Sequence, residues 1–129
     1  MTDPIADMLI RIKNALMAGR KEVLIPHSKV KEALAKLLAD HQYVESYELV
    51  EKQPQNDIKI VLRYVDAASA ISGVKRISKP GRRVYVTADK IPVTLNGYGL
   101  TILSTNQGVI DDKTARQKQV GGEVMCQIW

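Results

Sequence analysis

With 129 residues, 45% of them hydrophobic, the chain holds enough apolar material for one small domain or two very small ones, and too much for a disordered tail. No apolar run approaches the roughly 18 to 20 residues of a membrane-spanning helix. Met1-Thr2-Asp3-Pro4 lacks the basic-then-apolar layout of a secretory signal, and one cysteine, Cys126, excludes an internal disulfide and fits a reducing cytoplasm. The net charge of +5 is unevenly placed: residues 1–66 hold ten Lys/Arg against ten Asp/Glu, while residues 67–129 hold nine against four. A polyanion would therefore be met by the second half.

In chain order, Asp3 suits a helix cap and Pro4 the first helical position. Ile5, Met8, Leu9, Ile12 and Leu16 recur at helical spacing up to Gly19, which predicts an amphipathic helix. Arg11, Lys13 and Arg20 lie off that stripe, either solvated or within reach of phosphate. Glu22 to Pro26 reads as a short strand around Val23-Leu24-Ile25. Ser28 can cap a second helix with a core stripe of Val30, Ala33, Leu34, Leu37 and Leu38. Lys29 stands at the start of that helix, where backbone N–H groups attract anions. His27 and His41 have no cysteine or carboxylate at metal-ligand spacing, so both read as loop hydrogen-bonding residues and no metal site is expected.

Residues 43–50 and 57–64 read as strands flanking the turn-prone Gln53-Pro54-Gln55-Asn56, with Ile58, Ile60, Leu62 and Tyr64 alternating along the second. These elements make an amino-terminal αβαββ subdomain over residues 1–66. Asp66-Ala67-Ala68-Ser69-Ala70 breaks both periodicities and is taken as the linker. Val74 to Ser78 then reads as a strand, Lys79-Pro80-Gly81 as a turn, and Arg83 to Thr87 as a strand with Val84 and Val86 on one side and Arg83, Tyr85 and Thr87 on the other. An arginine, an aromatic and a hydroxyl on one face can hold nucleic acid by charge, stacking and hydrogen bonding; a tyrosine at a core edge is the plainer reading. Ile91 to Gly97 reads as a loop or a single helical turn.

Leu100 to Leu103 is a short apolar run that suits a buried strand, and Ser104-Thr105-Asn106-Gln107-Gly108 a tight loop of hydroxyls and amides. After Val109-Ile110, Asp111 or Asp112 can cap a short helix carrying Arg116 and Lys118 late, in the charge order a helix dipole favours. Gly121-Gly122 is expected to stop that helix, and a last strand to run to Trp129 with Cys126 in the core. Residues 67–129 thus form a carboxyl-terminal, mainly β subdomain with a short helix, and the whole is a mixed α/β (α+β) protein of two subdomains.

These residues also carry a resemblance. The strand, the Ser104-Thr105 loop, the Ala115-Arg116 helix and the ending Gly121-Gly122-Glu123-Val124-Met125-Cys126-Gln127-Ile128-Trp129, in that order, resemble the carboxyl end of the bacterial small-subunit ribosomal protein eight family. Asp3-Pro4-Ile5-Ala6-Asp7-Met8-Leu9 and Lys79-Pro80-Gly81 resemble the same family, so the likeness spans nearly the whole chain. The position after Ser104-Thr105 is more usually serine there and is Asn106 here, which can still donate and accept. The resemblance implies direct binding to an irregular helix in the central domain of small-subunit ribosomal RNA, stabilising its fold so that later proteins can join. It implies neighbouring small-subunit ribosomal proteins as partners, a place on cytoplasmic ribosomes, and contacts from Lys29 and Tyr85 to RNA. It implies no enzymatic activity, cofactor, membrane or small-molecule substrate.

On this reading Lys75, Arg76, Lys79, Arg82, Arg83 and Arg116 supply phosphate affinity, while Ser104, Thr105, Asn106, Tyr85 and Glu123 recognise shape and bases. Short hydroxyl and amide side chains suit the wide, shallow minor groove of RNA, and Gly121 and Gly122 let backbone approach a sugar or base without a Cβ. Glu123 among phosphates would accept from an exocyclic amino group or fix a neighbouring lysine or hydroxyl. Two other classes stay open from residues alone: another RNA- or DNA-binding or protein-interaction module, and a hydrolase using Ser104 or Cys126 with His27 or His41. The hydrolase has no nucleophile elbow, phosphate loop or metal constellation behind it.

Overall fold

The structure is a computed structural model that describes residues 3–94 and 99–129. Contacts divide the chain into two compact units, Pro4–Ile71 and Ser72–Trp129, the second taking in Asp3. Together they are the mixed α+β protein expected from sequence.

In the first unit α1 (Pro4–Met17) is followed by β1 (Glu22–Pro26), α2 (Lys29–Asp40), β2 (Val44–Val50) and β3 (Asp57–Leu62). Ile5, Met8, Leu9 and Ile12 are buried as their spacing requires, but the stripe continues through Ala15, leaving Leu16 only half-buried. Ser28 caps α2, its side chain accepting from the Lys31 N–H at 3.2 Å. The buried face of α2 is Lys31, Leu34, Ala35 and Leu38: Leu34 and Leu38 are buried as their spacing requires, Ala33 and Leu37 are half-buried, and Val30 is exposed. Lys31 manages burial by laying its stem inward while Nζ donates to the Pro26 carbonyl at 3.2 Å. The three strands form an antiparallel sheet in the order β1-β3-β2, with Ile25, Ile58, Ile60, Leu62 and Val44 in the core.

The segment read as a linker is structured. Strands β4 (Tyr64–Val65) and β5 (Ala68–Ser69) pair as a hairpin, and the chain divides later, after Ile71, where the sequence reading put the break at 66/67. The hairpin turn is Asp66-Ala67, both at positive φ (52° and 64°).

The second unit holds β6 (Val74–Arg76), β7 (Tyr85–Val86), a 3-10 turn (Ala88–Lys90), β8 (Leu100–Thr105), β9 (Gly108–Asp111), α3 (Asp112–Lys118) and β10 (Gly122–Ile128). The part of the Ile91–Gly97 loop at 95–97 lies outside the described residues. Antiparallel pairing runs β6-β10-β8-β9, and β7 also pairs with β10. Leu100–Leu103 is buried throughout, as a strand covered on both faces must be. Leu103 and Val124 meet Ala115 of α3 and Ile91 in one core cluster, with Ile77, Val84, Val86, Ile110 and Val120 packed around it.

Two local expectations change. Val109-Ile110, which sequence left unassigned, is part of β9, so the Ser104–Gly108 loop is the tip of a β8–β9 hairpin. Asp111 caps α3, accepting from the Thr114 N–H at 3.3 Å, but the helix ends at Gln119 in the left-handed region (φ 55°), not at Gly121-Gly122. The glycines serve close packing instead: a Cβ on Gly121 would lie 2.2 Å from the Val86 carbonyl oxygen, and one on Gly122 would lie 2.3 Å from that of Ser104.

Candidate nucleic-acid interface

Strand register assembles the site. Glu123 of β10 lies opposite Ser104 of β8 on one side and Tyr85 of β7 on the other. Directly opposed residues of antiparallel strands point to the same face, so Tyr85, Glu123 and Ser104 form one row across three strands. Neighbouring strands lie about 4.8 Å apart, so the row is about 10 Å wide. Leu103 and Val124, one residue along, point the other way into the core. Tyr85 is 69% exposed, which favours the binding reading of its face over a core-edge role.

Glu123 is held from behind. Its Oε2 accepts from the hydroxyl of Ser78 and, at 3.1 Å, from Nη1 of Arg83. Ser78 is fully buried, and its oxygen also accepts from the Val84 N–H at 3.2 Å. The carboxylate thus fixes a hydroxyl and a cation, one of the two tasks foreseen for it. No sequence signal marked Ser78, because its partners come later in the chain, Val84 just before β7 and Glu123 on β10.

The hairpin tip divides its polar residues. Thr105 is committed internally: its hydroxyl donates to the Gly108 carbonyl at 2.9 Å and accepts from the Gln107 N–H at 3.1 Å. It builds the turn and is not a freely rotating donor. Asn106 and Gln107 are exposed at the tip, and Ser104 is half-buried beside Glu123. Gln107 was passed over in the sequence, although it shares the tip with Asn106.

The cations sort in the same way. Lys75, Lys79 and Arg82 are exposed. Lys79 and Arg82 flank a tight turn closed by two backbone hydrogen bonds of 2.9 Å each, which presents both side chains. Arg83 is exposed but shared with Glu123. Arg76 has an internal role: its side chain is 10% exposed, Nε and Nη2 grip the Asp3 carboxylate at 3.0 and 3.3 Å, and Nη1 donates to the Met125 carbonyl at 2.6 Å. Arg116 pairs with Asp112 of its own helix at 3.0 Å and ties α3 to the loop before β8 through the carbonyls of Ile91 and Pro92 at 3.2 Å each. Both guanidiniums brace the unit from within. Lys29 belongs to the first unit, exposed at the start of α2.

The hydrolase reading gains nothing from the geometry. Cys126 is fully buried, and burial pushes its thiol up to about 12, so it stays protonated at neutral pH. His27 Nε2 pairs with Glu32 Oε1 at 2.8 Å in the first unit. Among the described residues no group of His, Cys, Asp and Glu is placed to hold a metal ion. No helix among them is long and apolar enough to cross a membrane.

Comparison with known proteins adds a family. The family model described as Ribosomal protein S8 matches residues 3–129. The small ribosomal subunit protein uS8 of Desulfovibrio desulfuricans is 53% identical over 129 residues, covering 100% of this chain and 99% of the relative. That of Persephonella marina is 50% identical over 135 residues, with 100% and 99% covered, and that of Halothermothrix orenii 48% over 130 residues, with 100% and 98% covered.

Proposed function

The chain belongs to the ribosomal protein S8 family, and from that premise we propose that it binds the central domain of small-subunit ribosomal RNA directly, through the Tyr85–Glu123–Ser104 row and the hairpin tip beside it. It is a structural component of the small ribosomal subunit and not an enzyme. On this reading it works on the ribosome, a cytoplasmic machine in bacteria, beside other small-subunit proteins.

The observation that carries the reading is the row itself. Three residues far apart in sequence converge on the one sheet face that turns away from the core. A tyrosine offers a stacking surface, Ser104 and Asn106 offer small donors and acceptors, and Glu123 keeps Oε1 for a donor while Oε2 is engaged. Such a flat, finely polar surface matches the minor groove of an A-form helix and its 2′-hydroxyls. Lys75, Lys79 and Arg82 add sequence-independent attraction to phosphate. By holding both sides of an irregular helix the protein would stabilise the folded RNA for later assembly steps.

The test compares a bulged hairpin from the central domain with a random RNA of equal length, in one buffer. Tyr85→Ala and Ser104→Val should each weaken the specific complex about tenfold or more while leaving the random one nearly unchanged. Arg82→Ala should weaken both alike. Equal losses on the two RNAs from Tyr85→Ala would remove the recognition role from the row.

A further inference from the structure

We infer that the free edge of β1 is a docking site for an extended, acidic segment of a neighbouring protein, which adds to the first unit's sheet as a fourth strand. The inference stands apart from the RNA reading, since every residue it uses lies in the first unit. Strand β1 is at the edge of its sheet, paired only with β3. The Leu62 N–H donates to the Lys21 carbonyl and the His27 N–H to the Asn56 carbonyl, both at 2.9 Å. Those two bonds fix the ladder: Lys21, Val23, Ile25 and His27 direct their backbone groups at β3, and Glu22, Leu24 and Pro26 direct theirs outward.

The outward edge is closed at one end and open at the other. Pro26 has no N–H, and its carbonyl accepts from Lys31 Nζ. Glu22 and Leu24 keep an N–H and a carbonyl each, enough for about four main-chain hydrogen bonds with an added strand. Beside these two residues lies a groove of about 630 Å³ between β1 and the end of α1. Ala15 and Ala18 give it depth, Leu24 gives it an apolar wall that is 49% exposed, and Arg11 and Arg20 stand at its rim.

Charge selects the occupant. Arg11 is paired with Asp7 at 3.0 Å, and Glu22 shares Lys59, at 3.6 Å, with Glu48, which lies nearer at 2.7 Å. The Arg20 guanidinium has no partner among the described residues, although its carbonyl accepts from the Tyr64 hydroxyl at 2.5 Å. The groove's own lining therefore carries two arginines against one glutamate, beside alternating backbone donors and acceptors and an apolar wall. An extended peptide with a carboxylate beside an apolar side chain satisfies all three, and a phosphate backbone leaves the carbonyls and the apolar wall unmatched.

The test uses the full chain and an eight-residue peptide of alternating valine and glutamate, with a valine–lysine peptide as control. Amide NMR shifts should appear at Glu22 and Leu24 with the glutamate peptide and be absent with the lysine one. Leu24→Pro removes one outward donor without touching the ladder to β3, and Arg20→Glu reverses the rim charge; each should weaken binding about tenfold. Absent shifts, equal binding of both peptides, or binding unchanged in Arg20→Glu would overturn the inference. Shifts of the same amides by a short RNA hairpin in preference to the peptide would overturn it in favour of RNA, and shifts that grow with protein concentration alone would overturn it in favour of a second copy.

Discussion

Arg76 and Arg82 carry the same charge, only six residues apart in number, yet one is spent inside the protein and the other faces solvent. Composition could locate the cationic half but not this division, because the partners of Arg76 are Asp3, 73 residues away in the chain, and the Met125 carbonyl. Glu123 and Ser78 show the same limit, since their bond spans 45 residues. The glycine pair was legible as special, but one reason was hidden: a Cβ on either would meet the backbone of Val86 or Ser104 on a neighbouring strand. Gly122→Ala should therefore cost about 1–3 kcal/mol, by forcing β8 and β10 apart. Gly81→Ala, where no heavy atom lies within 4 Å of the added Cβ, should leave stability within about 0.5 kcal/mol of the parent. Denaturant titration of the two variants separates them; equal stability would refute the packing role of Gly122.

Elements with long periodic patterns were readable, and those made by tertiary pairing or unusual backbone were not. α1 declares itself by five apolar positions and a proline start, and β3 by the alternation of Ile58, Ile60 and Leu62. β9 is four residues long, too short for alternation to register, and exists because β8 offers it an edge. The β4–β5 hairpin was hidden by its turn. Its two central residues need positive φ, a geometry usually announced by Asn-Gly or Asp-Gly, and here the second is Ala67 at φ 64°. An alanine in the left-handed region carries a penalty that glycine avoids. Ala67→Gly should raise stability by about 1 kcal/mol, read as a higher denaturation midpoint at an unchanged denaturant slope. A lower midpoint would mean that glycine's extra freedom in the unfolded chain outweighs the strain relieved.

At the scale of the whole molecule, the first 66 residues are electrically balanced and the remainder holds the full excess of +5. That asymmetry was plain in the sequence; how much of it can reach a polyanion is decided by the fold. Of the nine cations in residues 67–129, Arg76 and Arg116 are braced internally and Arg83 is shared with Glu123, whereas Lys75, Lys79 and Arg82 stand exposed. Each phosphate neutralised contributes about 0.7 to 0.9 to the log–log slope of binding against salt. Replacing Lys75, Lys79 and Arg82 together by alanine should thus flatten that slope by about 2 to 3 for the ribosomal RNA segment, and for random RNA equally. Arg116→Ala should instead leave the slope unchanged and lower the unfolding free energy by about 1–3 kcal/mol, since it strands the buried Asp112 carboxylate and two carbonyls. Titrations at several salt concentrations, paired with thermal melts, read both quantities on each protein. A slope that falls with Arg116→Ala and stays put in the triple variant would reverse the assignment of which cations face the RNA.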